Sequence, residues 1–243
     1  MSCYGPLAAW YDQLTGDVPY SEFADFYEAE FRRSGGEFRL LLDLCCGTGT
    51  LTCLLSERGY EMIGVDSSVD MLMQAREKAA ELGQNILFLC QDASELDLYG
   101  TVDAAICSLD GMNYLPGDTL PELFDRLRLF VRPGGLVIFD IRPADWLRSL
   151  DGEIFVDEND DVLCIWRADF DRDEGAIVYG MDIFNRQGKL WRRSSEEHLE
   201  YAHSEEYLRA VMEKAGFEDI RFTSDCPHGD AGRVFVVAKR KDI

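Results

Sequence analysis

A carboxylate placed beside a glycine-bent corner carries most of the chemistry legible in this chain. In Leu41–Thr50, LLDLCCGTGT, an apolar run ends in Asp43, and Gly47 and Gly49 then turn the chain into a helix. A helix starting there exposes unpaired backbone N–H groups next to a carboxylate, a pairing that suits a ligand with both an anion and a cation. Asp66 closes the next apolar run, in VDSS, nineteen residues after Gly47, and Asp92 closes a third, in CQDA. A carboxylate at Asp66 can accept hydrogen bonds from both hydroxyls of a ribose, and Asp92 is placed to receive an adenine amino group. Singly, each feature has a plainer explanation. Tight strand-to-helix turns need glycine for backbone reasons, and an aspartate after a strand often caps the following helix. Three acids on three successive strand ends carry the reading together.

S-adenosylmethionine offers the anion, the cation, the ribose and the adenine at once. A nicotinamide dinucleotide has no ammonium group for Asp43 to meet, and the third glycine of its fingerprint is Thr52 here.

The elements that must hold these residues alternate. Strands are expected over Arg39–Leu44, Glu61–Val65, Ile86–Cys90, Val102–Ser108 and Leu136–Ile141, with helices over Thr50–Arg58, Val69–Leu82 and Thr119–Val131 between them. Such alternation implies right-handed crossovers and a parallel sheet, which binds ligands beyond the carboxyl ends of its strands. Ser67 or Ser68 caps the second of these helices, Gly83 ends it, and Pro133-Gly134-Gly135 stops the third. A preceding helix over Tyr20–Phe31 presents Phe23, Phe26, Tyr27 and Phe31 as its apolar stripe. From Ile154 to Tyr201 the pattern changes to three or four antiparallel strands with a turn at Asn185-Arg186-Gln187-Gly188. A helix capped by Ser204, with Tyr207, Leu208, Val211 and Met212 as its stripe and Gly216 as its stop, leads to two last strands, Phe217–Thr223 and Arg233–Lys239. The expected architecture is α/β: a doubly wound, mostly parallel, seven-stranded Rossmann-like sheet. Residues 1–150 and 202–243 form it, and residues 151–201 form an antiparallel β insertion after the fifth strand, over the ligand edge.

Composition narrows the partners. With 46 acidic and 24 basic residues the net charge is −22, which opposes approach to phosphate backbones or anionic membranes. No nucleic acid or membrane partner is therefore expected. No stretch reaches the roughly 18 apolar residues of a membrane span, so a soluble, cytoplasmic protein is expected. The eight cysteines read as core residues in a reducing compartment, with Cys90, Cys107 and Cys164 in buried strands. Cys226 and His228 lack partners at zinc spacing, and no metal is expected.

The motifs LLDLCCGTGTLT, VDSSVDMLMQAREKA, LCQDASEL, DAAICSLDGMNYL and VRPGGLVIFDI, in that order, resemble the class I S-adenosylmethionine-dependent methyltransferases over nearly the whole length. The N-terminal YGPLAAWYDQL and the late strand insertion resemble the small-molecule branch, near the glycine and sugar-amine N-methyltransferases. The resemblance implies methionine contacts at Asp43, Gly47 and Gly49, ribose contacts at Asp66, and adenine contacts at Ser67, Met71, Asp92 and Ala93. Ser108 would face the reacting methyl, and the family's first glycine is Cys45 here.

On the acceptor side, Tyr11 belongs to a segment resembling one that folds over the cofactor, where its hydroxyl approaches the methyl or the methionine carboxylate. The competing role is packing with Trp10 and Phe23 in a lid. His198 shares a strand face with Arg192 and is a candidate substrate ligand or proton acceptor, against a structural histidine. His203 and His228 are less informative. Asp110 and Asn113 follow the fourth strand as candidate substrate contacts or loop caps. Met71, Met73 and Met112 are candidate pocket or core residues. The function expected is direct in-line methyl transfer to a nitrogen or oxygen of a small molecule. A non-catalytic S-adenosylmethionine-binding regulator and an NAD-dependent dehydrogenase are the alternatives.

Overall fold

A computed structural model describes residues 4–225, 227 and 232–242. A one-turn helix, α1 (Tyr11–Leu14), and a longer one, α2 (Tyr20–Ser34), precede the first strand. Then come β1 (Leu40–Leu44), α3 (Thr50–Glu57), β2 (Glu61–Asp66), α4 (Val69–Glu81), β3 (Leu87–Cys90), β4 (Val102–Cys107), α5 (Leu120–Phe130) and β5 (Val131–Ile141). The helix α6 (Ala144–Ser149) leads into β6 (Ile154–Glu158), β7 (Val162–Asp171), β8 (Ala176–Gln187) and β9 (Leu190–Tyr201). The chain closes with α7 (Glu205–Ala215), β10 (Phe217–Thr223) and β11 (Val234–Arg240).

Among the described residues, seven strands form one sheet in the order β10-β11-β5-β4-β1-β2-β3. The pairings β1·β2, β1·β4, β2·β3 and β4·β5 are parallel, whereas β11 runs antiparallel to both β5 and β10. Side-chain alternation sorts the core into layers. Leu42, Leu44, Ala105, Cys107, Val137 and Phe139 join the layer formed with α5 and α7. Leu41, Ala104, Ile106, Leu136 and Ile138 join the layer formed with α2 and α3. Each fully buried Leu or Phe contributes roughly 2 kcal/mol to this arrangement. Alternation thus carries Asp43 to the same side as Leu41, where α3 begins.

The opposite edge of the sheet is tied by Asp103. Its Oδ2 accepts the Arg39 and Leu40 N–H groups at 2.8 and 2.9 Å, and Arg132 Nε donates to Oδ1 at 2.6 Å. These partners outweigh partial burial and hold the carboxyl below the ordinary range.

The second sheet is antiparallel, in the order β6-β7-β8-β9. Leu7, Trp10, Tyr11 and Leu14 pack on its Val162, Cys164, Met181 and Ile183, so the N-terminal segment belongs to this layer. The segment is pinned at two points. Glu196 of β9 accepts the Tyr4 and Leu7 N–H groups at 3.1 and 2.7 Å, and Asp12 meets Lys78 Nζ at 2.7 Å and the Thr48 hydroxyl at 2.6 Å. Tyr11 therefore packs with Trp10 as expected, but against the second sheet rather than against Phe23.

Several expectations need correction. Strand β8 continues through Gln187 and the hairpin turns at Gly188 and Lys189, two residues later than expected, because Asn185 and Arg186 still pair with Arg192 and Trp191. Strand β5 starts at Val131, so Pro133-Gly134-Gly135 lies inside it after α5 has ended at Phe130. Cys90 is exposed because β3 is an edge strand, while Cys107 and Cys164 are buried. Tyr207 is 37% exposed, its hydroxyl donating to Gly117 O at the surface. Cys226 and His228 lie outside the described residues. No helix among the described residues is long and apolar enough to cross a membrane.

Candidate active site

A cavity of about 490 Å³ opens beyond the carboxyl ends of β1, β2, β3 and β4 and is lined at one end by Asp43, Asp66 and Asp92. Asp43 is 2% exposed, and its Oδ2 accepts the Thr52 hydroxyl at 2.6 Å. Burial outweighs that hydrogen bond and pushes the carboxyl up to about 7. An acid balanced between its two forms near neutrality becomes fully ionised when a cation docks against it. Asp66 accepts the Gly47 N–H on Oδ2 and the Ser68 N–H on Oδ1, both at 2.8 Å. Burial still holds its carboxyl above the usual range. Each carboxylate oxygen can take a further donor, which is what a ribose diol supplies. Ser68 caps α4 by accepting the Met71 N–H at 3.3 Å, placing Ser67 and Met71 on the lining. Asp92 accepts the Ser94 N–H and hydroxyl on one oxygen at 2.8 and 2.6 Å. It is thus a cap and a cavity residue at once, next to Ala93.

The two glycines divide the work. Gly47 has φ +53° and a Cβ added there would meet nothing within 4 Å, so the corner leaves room over its backbone. Gly49, at φ +70°, would bring a Cβ to 2.9 Å from Ala75 Cβ. It does not line the cavity. It lies where α3 packs closely on α4.

Past Ser108 the lining changes character. Ser108 Oγ lies 2.6 Å from the hydroxyl of buried Tyr27, so α2 fixes the end of β4. Leu109 and Asp110 follow at φ +56° and +54°, a region rarely used by residues with side chains. Asp140, at the end of β5, holds them there by accepting the Leu109 and Asp110 N–H groups at 3.0 and 2.8 Å. Buried Arg233 pairs with Asp140 and, at 2.7 Å, with Asp110; Arg142 Nε stands 3.7 Å from the same Asp110 oxygen. Tyr4, Tyr11, Tyr20, Tyr114 and Tyr201 also line the cavity, Tyr20 on the side of Asp43. The Tyr4 hydroxyl donates to Tyr114 at 2.7 Å. Burial raises the Tyr4, Tyr11 and Tyr114 hydroxyls beyond their ordinary range and pushes Tyr20 up to about 12, so all four are neutral phenols at physiological pH.

An acid-rimmed cleft at the switch from strand to helix, under a doubly wound sheet with an antiparallel last strand, defines the S-adenosylmethionine-dependent methyltransferases, and this chain belongs to that family. A methyltransferase domain model matches residues 41–135. The putative methyltransferase YqeM of Bacillus subtilis (strain 168) is 30% identical over 98% of this chain and 97% of its own. A solved S-adenosylmethionine-dependent methyltransferase from Clostridium acetobutylicum is 29% identical, with a TM-score of 0.86 over 99% of this chain and all of that one. The amino pentose methyltransferase CalS10 of Micromonospora echinaspora, solved with S-adenosylmethionine bound, shares the fold at 20% identity and a TM-score of 0.78, over 99% of each chain. The cofactor is S-adenosylmethionine. Asp43 and Asp66 fit its ammonium and ribose, and the space left over Gly47 admits the methionine end beside them.

Of the residues expected in the site, Tyr11, Asp43, Gly47, Asp66, Ser67, Met71, Asp92, Ala93 and Ser108 line one cavity. The acceptor-side expectations fare differently. His198 is 1% exposed and does not reach the lining; its Nε2 is 2.9 Å from Glu196, and its ring sits edge-on to Tyr4 at 4.3 Å. Arg192 is exposed near the hairpin end of β9, six residues and roughly 20 Å along the strand from His198. Asn113 is fully buried as a strut: its amide donates to Arg142 O and Tyr201 O and accepts the Arg142 N–H. Asp110 is held in the ion cluster beside the cavity. Met112 is core and Met73 is 52% exposed. His203, also buried, bonds to Leu115 O. Tyr4, Tyr20, Tyr114 and Tyr201 were not anticipated; of these only Tyr201 stands at a strand end, where sequence reasoning could have looked.

Proposed function

We propose that the protein moves a methyl group directly to a nitrogen or oxygen of a small molecule. The supporting observation is that the three acids, Ser108 and the tyrosines line one cavity of about 490 Å³. When bound, S-adenosylmethionine supplies an already electrophilic methyl, so no protein nucleophile is needed. The chain's task is alignment and exclusion of water. Asp43 and the Gly47 corner hold the methionine end, Asp66 the ribose, and Ser67, Met71, Asp92 and Ala93 the adenine. Tyr11 and Ser108 border the reacting carbon. The strand insertion, residues 151–201, walls the acceptor end through Leu199 and Tyr201.

Purified protein incubated with methyl-labelled S-adenosylmethionine and a panel of small amines, alcohols and phenols should yield labelled product and S-adenosylhomocysteine. Full cofactor occupancy by calorimetry with no label transferred to any member would reject the proposal.

A further inference from the structure

The acceptor end has an unusual charge inventory. Among the described residues lining the cavity there is no lysine, arginine or histidine. An acceptor carboxylate or phosphate brought into this space would be buried without a countercharge, which is strongly unfavourable. What the lining offers instead is phenol faces and hydroxyls, with Asp43 and Asp66 on the same cavity; the cluster beside it balances Asp110 and Asp140 against Arg142 and Arg233. Aromatic faces and carboxylates without a countercharge favour a cation.

Behind the tyrosines lies a carboxyl with no evident structural duty. Glu200 sits on β9 between the lining residues Leu199 and Tyr201, is 5% exposed, and its Oε2 is sealed from solvent without a hydrogen-bond partner. The Tyr114 hydroxyl faces this carboxyl, and the Tyr4 hydroxyl donates to Tyr114 at 2.7 Å. Two hydroxyls therefore stand between the cavity and Glu200. Tyr4 itself is held at φ +63°, with its N–H fixed by Glu196 and its ring backed by His198. A strained residue clamped this firmly is consistent with positioning of its hydroxyl. Glu200 is faced by Tyr4 and Tyr114, by Tyr179 of β8, and by Asp110, Arg142 and Arg233. Burial, with Asp110, raises its affinity for a proton well above that of a surface carboxyl, against the two arginines.

We propose that the methyl acceptor is an amine that arrives protonated and carries no carboxylate or phosphate into the cavity, and that its surplus proton passes through Tyr4 and Tyr114 to Glu200. The inference rests on the methyl-transfer reading above. The acceptor ammonium gives a proton to the Tyr4 oxygen, the Tyr4 hydroxyl proton moves to Tyr114, and the Tyr114 proton moves to the Glu200 carboxylate. The freed nitrogen lone pair then forms the N–C bond while the S–C bond breaks and its electron pair stays on sulfur. The products are the methylated ammonium, S-adenosylhomocysteine and a protonated Glu200, which later returns its proton to solvent. Tyr4 touches the acceptor; Tyr114 and Glu200 act through it.

The test uses labelled S-adenosylmethionine and matched sets on aliphatic, aromatic and sugar scaffolds, each set comprising an amine, the same amine with a carboxylate, and the corresponding alcohol. Label is expected in an amine arm. Preferential label in a carboxylate-bearing or alcohol arm overturns this proposal and leaves methyl transfer standing, whereas no label in any arm with cofactor bound overturns both. On the accepted amine, Glu200→Gln should lower kcat about 100-fold, as loss of a general base does. KM for S-adenosylmethionine should stay unchanged, and the acidic limb of the pH–rate profile should disappear. Glu200→Asp should restore part of the rate. Tyr114→Phe cuts the relay with Glu200 in place and should give the same signature, so a folding defect in one variant does not decide the matter. Wild-type kcat and pH profile in both variants would overturn the relay.

Discussion

At the scale of single residues, Asp43 and the two glycines beside it make separable predictions. The buried carboxyl of Asp43 titrates near 7 in the free protein, and a docked ammonium favours the ionised form, so binding expels a proton below that pH. Calorimetry should therefore show S-adenosylmethionine affinity flat above neutrality and falling up to tenfold per pH unit below it. In Asp43→Asn the affinity should be about 10- to 100-fold weaker at pH 8 and should lose that dependence. Gly49→Ala combines a left-handed φ with a 2.9 Å contact to Ala75, and urea denaturation should show a loss of about 2–4 kcal/mol. Gly47→Ala has strain but no clash, so it should cost about 1–2 kcal/mol while weakening cofactor binding more than Gly49→Ala does. The three acids were legible in sequence because a strand end is a local event, and an open parallel sheet places its ligand there. Glu200 and Tyr4 were not legible. Tyr4 meets Glu196 across 192 positions and Tyr114 across 110, and period-two alternation assigns a residue to a face without saying what covers that face.

At the scale of elements, the loop after β4 depends on an acid from the next strand. Asp140 accepts both strained amides of Leu109 and Asp110 and pairs with Arg233 of the segment leading into β11. Asp140→Asn should destabilise the protein by about 3–5 kcal/mol, because it leaves a buried cation short of its partner, and hydrogen exchange at the 109 and 110 amides should accelerate. Glu196→Gln weakens a clamp rather than a core: faster exchange at the Tyr4 and Leu7 amides is expected, with the first sheet unaffected. The alternating strands and helices of the main sheet followed from apolar periodicity and cap residues such as Ser68 and Ser204, whose side chains accept the expected N–H groups. The hairpin after β8 was misplaced because a glycine in a polar stretch marks a turn only to within a couple of positions, whereas pairing with β9 sets the register. Tyr11 shows the same limit: its segment reads as a lid, but the surface receiving it is built by β7 and β8, some 150 residues later.

For the whole molecule, the net charge of −22 implies self-repulsion that salt relieves. The thermal midpoint should therefore rise as ionic strength is raised from a dilute buffer to physiological values, and a flat response would show that this repulsion does not limit stability. Proton uptake also acts unevenly across the molecule. Asp103 has its carboxyl depressed by the amides of Arg39 and Leu40 and by Arg132, so its contribution persists until pH drops through that low value. Asp43 at the opposite rim is raised, and it takes up its proton already near neutrality. Mild acidification is thus expected to loosen the cleft's hold on its ligand while the seam at Asp103 still stands.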